Sequence, residues 1–202
     1  ATRRDAGPQP LNVIIAAHID EYGFLVRRIS DEGFIKMSMV SGADPAMLMG
    51  QRVVIYGAEN VRGVIAPKRI DRGKELTLDD LWIDTGRPKV WVEERVSIGD
   101  VATLDVDVAR LNDAIVVGRN FDDRLGTYCM VKALKEIEKL SVDLYCVSTV
   151  QEEIGVRGAH TVATVIDGDV GLAIDGGCPK DAYNRDMHCD LGTGAAVYVI
   201  DK

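Results

Sequence analysis

The sequence predicts an α/β protein: a mixed, mainly parallel sheet that carries a site, with a smaller β-rich module inserted into it. Three observations predict this. Four apolar runs of strand length, NVIIAA (12–17), AIVVG (114–118), DLYCVSTV (143–150) and DVGLA (169–173), read as buried strands. Helical patterns separate the later runs, giving the β–α–β order that implies parallel strands with right-handed crossovers. Each run is followed closely by acidic residues, and the carboxyl ends of strands are where open α/β sheets place their sites.

The lead-in ATRRDAGPQP (1–10) is polar with two prolines and is expected to be flexible. The strand 12–17 runs into AHIDEYGF, which holds His18, Asp20 and Glu21. The character then changes. Short strand candidates follow at FLVRRIS (24–30), FIKMSMV (34–40), QRVVIYG (51–57), VRGVIA (61–66) and ATLDVDV (102–108). Turn signals such as Asp31-Glu32-Gly33 and Gly99-Asp100 separate them, and no long helical period intervenes. The economical division is an α/β domain of residues 1–26 plus 113–202, with 27–112 as the inserted β-rich domain. Met37, Met39, Met47, Leu48 and Met49 give that insert an apolar surplus, and core and partner surface are equally good readings of it.

Beyond the second run, NFDDRLG supplies Asp122 and Asp123, and a helix follows in which Leu125, Cys129, Leu134, Ile137 and Leu140 fall roughly on one face. The strand 143–150 leads to VQEEIGVRGA with Glu152 and Glu153, a helix is predicted through 158–166, and the next strand ends at Asp175 in AIDGG. A last apolar run, GAAVYVI (194–200), reads as one more sheet strand.

Composition narrows the function. The chain has 202 residues, 47% of them hydrophobic, and a mean hydropathy near zero, as soluble globular proteins do. A formal charge of −8 argues against a nucleic-acid partner, whose footprint would be basic. No run is long enough to suggest a membrane span, and no signal peptide is recognisable. Cys129, Cys146, Cys178 and Cys189 lack CxxC spacing, so reduced core or near-core thiols in a cytoplasmic protein are expected.

Each acidic motif has two readings. His18 and Asp20, two apart at a strand end, can face one side. There His18 binds a metal while Asp20 takes its other ring N–H, or the pair is simply a hydrogen-bonded strand terminus. Asp122-Asp123 precedes a helix, so one of them is a natural N-cap and the other is left to bridge metals; taken alone, the cap reading is stronger. Glu152-Glu153 follows an apolar strand and precedes Gly155 and Gly158. Neighbouring residues in extended backbone point opposite ways, so one glutamate can ligate metal while the other takes a proton from the activated water. A charged surface loop is the weaker alternative. Asp175 is either a turn residue or a carboxylate ligand. His160 and His188 read as structural or solvated. One histidine with converging carboxylates suits zinc or cobalt, with manganese also admitted.

Taken in order, AAHIDEYGFLV (16–26), GRNFDDRLG (118–126), STVQEEIGVRGA (148–159) and AIDGG (173–177) resemble the M42 family of metallo-aminopeptidases, over about residues 12–200. SGADPAMLMGQRVVI (41–55) and LWIDTG (81–86) look like that family's dimerisation domain. The resemblance implies a zinc-peptidase/phosphorylase-like catalytic domain, a β-barrel-like insert, and two divalent ions per subunit. It implies His18 and Asp175 as ligands of one ion, Glu153 as ligand of the other, and Asp122 as the bridge. Glu152 becomes the general base, and Asp20 the partner of His18. It further implies short peptide substrates and homo-oligomers from dimers to dodecamers. The family has more sequence before its HxD strand and a final histidine ligand well beyond AID, where His188 comes too early. The chain is therefore expected to be a fragment of a longer catalytic sequence, with a reduced homologue whose second metal site is impaired as the weaker alternative. Two other classes compete: a non-catalytic scaffold that retains only self-assembly, and a metal-independent glycosidase, which needs two carboxyls about 5–10 Å apart and leaves the HxD motif without a role.

Overall fold

The computed structural model describes residues 10–67, 75–177 and 189–198. The expectations for residues 1–9, Cys178, His188 and residues 199–200 lie outside them. The chain divides into two compact units, one of residues 1–19, 121–148 and 167–202, the other of residues 20–120 and 149–166.

In the first unit, strands β1 (Asn12–His18), β10 (Asp143–Thr149) and β11 (Val170–Ala173) form a three-stranded sheet in the order β10-β1-β11. β1 and β11 run parallel, with Val13 opposite Val170 and Ala16 opposite Ala173. Asn12 pins the start of this pairing: its N–H donates to Asp169 Oδ2 at 2.7 Å and its side-chain amide to the Asp167 carbonyl at 2.9 Å. Helix α3 (Phe121–Glu136) packs on β1.

The second unit is dominated by a closed barrel in the order β2-β3-β6-β5-β4-β7. Its strands are β2 (Gly23–Ile29), β3 (Ile35–Val40), β4 (Arg52–Tyr56), β5 (Asn60–Pro67), β6 (Leu81–Asp84) and β7 (Val101–Leu104). Period-two alternation builds it. In β4, Val53 and Ile55 are fully buried while Arg52 and Tyr56 face out. Phe24, Ile35, Ile65, Leu81 and Ile83 join them, so the main apolar core is the barrel interior. The first and last strands pair with each other, Phe24 opposite Ala102 and Leu25 opposite Val101, which closes the barrel and leaves no edge. Short helices α1 (Pro45–Leu48) and α2 (Lys89–Glu93) flank it, the latter contributing buried Val92. The methionine-rich segments divide. Met37 and Leu48 are core and Met39 packs against it, whereas Met47 and Met49 are exposed.

Several expectations are corrected. AIVVG is not a buried sheet strand: only Val116–Val117 are extended, as exposed β9 pairing antiparallel with β8 (Ala109–Arg110). Antiparallel pairing with a segment close in sequence satisfies that backbone locally. β11 is a sheet strand, paired on one side with β1, but its side chains are exposed along its length. In α3 the buried face is Asp123, Gly126 and Met130, while Leu125 and Cys129 are exposed. Apolar residues occur around much of that helix, so its period did not single out the packed side. Residues 194–198 of GAAVYVI form no strand, and Val197 is exposed. Cys129, Cys146 and Cys189 are free thiols, and burial raises the pKa of Cys146. Helix α4 (Arg157–Ala163) follows the Glu152-Glu153 turn, with His160 exposed on it.

Candidate metal centre

Strand register brings the first two residues together. β1 and β11 pair with a constant offset, Ala16 opposite Ala173, and the Ile174 N–H still donates to the Ala16 carbonyl at 2.8 Å. Two residues on, the same offset sets Asp175 beside His18 at the carboxyl ends of parallel strands. His18 Nε2 lies 3.8 Å from Asp175 Oδ1.

α3 supplies the next carboxylates from two consecutive residues with different roles. Neither Asp122 nor Asp123 has helical dihedrals, so the regular helix begins after them. Asp123 is buried, and its oxygens accept the His18 N–H and the Gly126 N–H, each at 3.0 Å. It thus caps its own helix and ties the end of β1 to it. Thr127 completes the grip by donating its hydroxyl to the His18 carbonyl at 3.1 Å. Asp122 turns the other way: its side chain is 64% exposed and its Oδ1 lies 3.0 Å from His18 Nε2.

Close packing leaves no room for a side chain at Gly126 and little at Gly176. A Cβ on Gly126 would stand 2.3 Å from Asp123 Oδ1, and one on Gly176 about 3.2 Å from the Asp122 carboxyl carbon. Thr127, Gly126 and Gly176 were not singled out from sequence, and Asp123 entered only as one of a pair in which cap and bridge were not told apart. The Asp-x-x-Gly spacing of Asp123 and Gly126 was the available signal.

The donor set fits a divalent cation. Ring nitrogen and carboxylate ligands about 2.0–2.2 Å from a tetrahedral ion stand about 3.4 Å apart. The 3.0 Å and 3.8 Å separations from His18 to Asp122 and Asp175 bracket that value. One ligand atom each from His18, Asp123 and Asp175 also lies within 4.8 Å of the others. Both Asp123 oxygens already accept backbone N–H groups, whereas Asp122 Oδ1 faces the His18 ring. Electrostatics agree. Burial first, with the charges of Asp122 and Asp123 adding to it, raises the pKa of Asp175 to about 6 against the opposing Gly176 N–H and His18. Burial likewise raises Asp123, against its two backbone donors. Clustered carboxylates that resist ionisation together are what a cation relieves.

Glu152 and Glu153 belong to the second unit, on a tight turn between β10 and α4. The Glu152 carbonyl accepts the Gly155 and Val156 N–H groups at 2.8 Å each. Gln151 (φ 60°) and Val156 (φ 57°) flank the turn in the left-handed region. That conformation costs a side-chain-bearing residue about 1–2 kcal/mol, and it persists where surroundings over-determine the backbone. Asp20 helps to supply this constraint: its two oxygens accept the Glu152 and Glu153 N–H groups, each at 3.2 Å. Asp20, read from sequence as the ring partner of His18, thus clasps the turn that carries both glutamates. Tyr22 sits beside them, its pKa raised by burial and then by Glu21 and Glu153.

Comparison with known proteins gives the family. The model of the M42 glutamyl aminopeptidase family matches residues 2–202. A lysyl aminopeptidase of Pyrococcus furiosus is 30% identical over 81% of the chain and 50% of its own length. The solved aminopeptidase APDkam598 from the archaeon Desulfurococcus kamchatkensis is 37% identical with a TM-score of 0.88, over 96% of this chain and 56% of that one. The Pyrococcus horikoshii TET1 peptidase, which can assemble into a tetrahedron or a large octahedral shell, is 30% identical with a TM-score of 0.75, over 84% of this chain and 54% of that one. The chain thus spans about half the length of these relatives. With a parallel strand pair that delivers His18 and Asp175 side by side and a family match along nearly its whole length, the chain belongs to the M42 peptidase family.

Proposed function

We propose that this chain carries the water-activating part of a metal-dependent aminopeptidase that removes N-terminal residues from short peptides. The observation that carries the reading is the convergence of His18, Asp122 and Asp175, a cation-binding donor set at paired strand ends. When bound, two divalent ions, zinc or cobalt, polarise the scissile carbonyl and acidify water. His18 and Asp175 would hold one ion and Glu153 the other, with Asp122 as the carboxylate shared between them. Glu152 takes the proton of the attacking water and returns it to the departing amine. Asp20 sets the position of Glu152 and Glu153 through their backbone N–H groups.

The barrel, with Met47 and Met49 exposed, serves as the dimerisation domain, and dimers assemble further, up to dodecamers. The tetrahedral assembly of the Pyrococcus horikoshii relative supports that reading. No helix of the described residues is long and apolar enough to cross a membrane, and the free thiols suit a cytoplasmic protein.

The test is Glu152→Gln. Turnover of an aminoacyl p-nitroanilide should fall at least about 100-fold, the usual scale for a general base, with metal per chain unchanged by elemental analysis. Turnover equal to the parent chain would remove Glu152 as the base.

A further inference from the structure

A half-buried ion pair in the second unit has no part in the function proposed above. Arg119 Nε lies 3.3 Å from Glu21 Oε2, with the two side chains 24% and 17% exposed. The same guanidinium donates to Thr103 Oγ1 at 2.7 Å and to the Leu104 carbonyl, both on barrel strand β7. Thr103 is itself buried and shares a 3.2 Å hydrogen bond with the Tyr56 hydroxyl of β4. Glu21 is the chain neighbour of Asp20, whose carboxylate holds the Glu152 and Glu153 N–H groups.

These contacts form one continuous path within the unit: from the barrel wall through Arg119 to Glu21, then through Asp20 to the turn. An exposed ion pair would carry little weight, but this one is largely withdrawn from water, so deleting one partner strands the charge of the other. A guanidinium suits the task, because its planar fork serves a carboxylate and a carbonyl at once.

We propose that Arg119 is a positioning residue: it braces the Asp20-Glu21 segment against barrel strand β7, and so holds the turn bearing Glu152 and Glu153 in register for proton transfer. The proposal rests on the peptidase reading above for its consequence in catalysis, but the brace is testable without it. Arg119 touches neither water nor metal ligand in this scheme; it acts through Glu21 and Asp20. The barrel thereby contributes to the site mechanically, whatever else it does for assembly.

The experiment is amide hydrogen exchange on the full chain, comparing the parent with Arg119→Met, Glu21→Gln, their double variant and Arg119→Lys. The expected result is exchange about tenfold faster at the Glu152 and Glu153 amides in both single variants, because local opening of the turn becomes easier. The double variant should add little to either single one. Arg119→Lys, which keeps the charge but not the fork, should fall between. Amides of β4 and β7 should stay protected. Unchanged exchange at Glu152 and Glu153 would overturn the brace. Equal acceleration through β4 and β7 would overturn it too, since Arg119 would then merely stabilise the barrel.

Hydrolysis by the metal-loaded chain supplies the second arm. In Arg119→Met, kcat should drop about 10–100-fold, with KM within about twofold because no substrate contact is lost. A brace seen by exchange in a parent chain that hydrolyses nothing would leave the brace standing and remove the peptidase reading. A peptidase whose kcat is indifferent to Arg119→Met would do the reverse.

Discussion

Replacing Asp123 tests the construction of the centre most directly. Its carboxylate accepts two buried backbone N–H groups, from His18 and Gly126, at 3.0 Å each. Hydrogen bonds to a charged partner contribute about 1.5–3 kcal/mol apiece, so Asp123→Ala forfeits about 3–6 kcal/mol gross. Against this stands the cost of burying the carboxylate, visible in its raised pKa. A net loss of about 3 kcal/mol is expected. Asp123→Asn keeps one acceptor but turns an amide N–H₂ toward the second donor, so it should lose about half as much. Urea unfolding followed by circular dichroism at 222 nm reads the change through α3, the longest helix of the described residues. Emission from Trp82 and Trp91, both in the barrel region, follows that part separately, which matters because two compact units need not melt as one. Amide exchange at His18 and Gly126 localises the effect. A loss below about 1 kcal/mol for Asp123→Ala, or equal tolerance of Ala and Asn, would refute the assignment of Asp123 as the tie between β1 and α3.

Two further tests address metal binding. Gly176→Ala places a methyl about 3.2 Å from the exposed Asp122 carboxyl, which can yield by moving. Unfolding free energy should change by less than about 0.5 kcal/mol while cobalt or zinc affinity, read by calorimetric titration, falls about tenfold; unchanged affinity would remove Asp122 from the ligand set. Acidification should also weaken binding, because the ion must displace a proton from Asp175, whose pKa in the folded chain is raised to about 6. Affinity should therefore rise up to about tenfold per pH unit, for this one proton, between pH 5 and 6, then flatten. The sign for stability is the opposite of that for a paired aspartate. With a raised pKa, the metal-free fold is favoured at low pH and loses that advantage as pH rises from about 4 to about 6. A flat affinity profile across this range would mean that Asp175 does not bind the ion.

The strand ends that carry His18 and Asp175 were legible because apolar runs followed by polar residues are a local signal. The barrel strands were legible for the same reason, through period-two alternation and turn residues. What stayed hidden depends on which partner a segment finds. AIVVG has the composition of a sheet strand, yet Val116–Val117 pair with Ala109–Arg110 nearby. The α3 helix carries apolar residues on several sides, so its period could not reveal that Gly126 and Met130 face inward while Leu125 does not. Asp122 and Asp123 are chemically identical neighbours. Only the backbone angles that aim one at the His18 ring and the other at the His18 N–H separate the proposed ligand from the cap. Arg119 was invisible as a brace, since Thr103, Leu104 and Glu21 are distant from it in sequence.

Pairing of the barrel's first and last strands has an architectural consequence. Phe24 and Leu25 lie opposite Ala102 and Val101, so the chain leaves the barrel within one strand spacing, about 5 Å, of where it went in. To the rest of the polypeptide, residues 23–104 behave like a single long hairpin: they occupy a gap no wider than a turn would. Such a module can be enlarged, trimmed or exchanged between relatives without stretching the flanking chain, provided those two strands still meet. That makes its outer surface free to diversify, so the shape of an assembly can drift across a family while the spacing of the residues on either side stays constant.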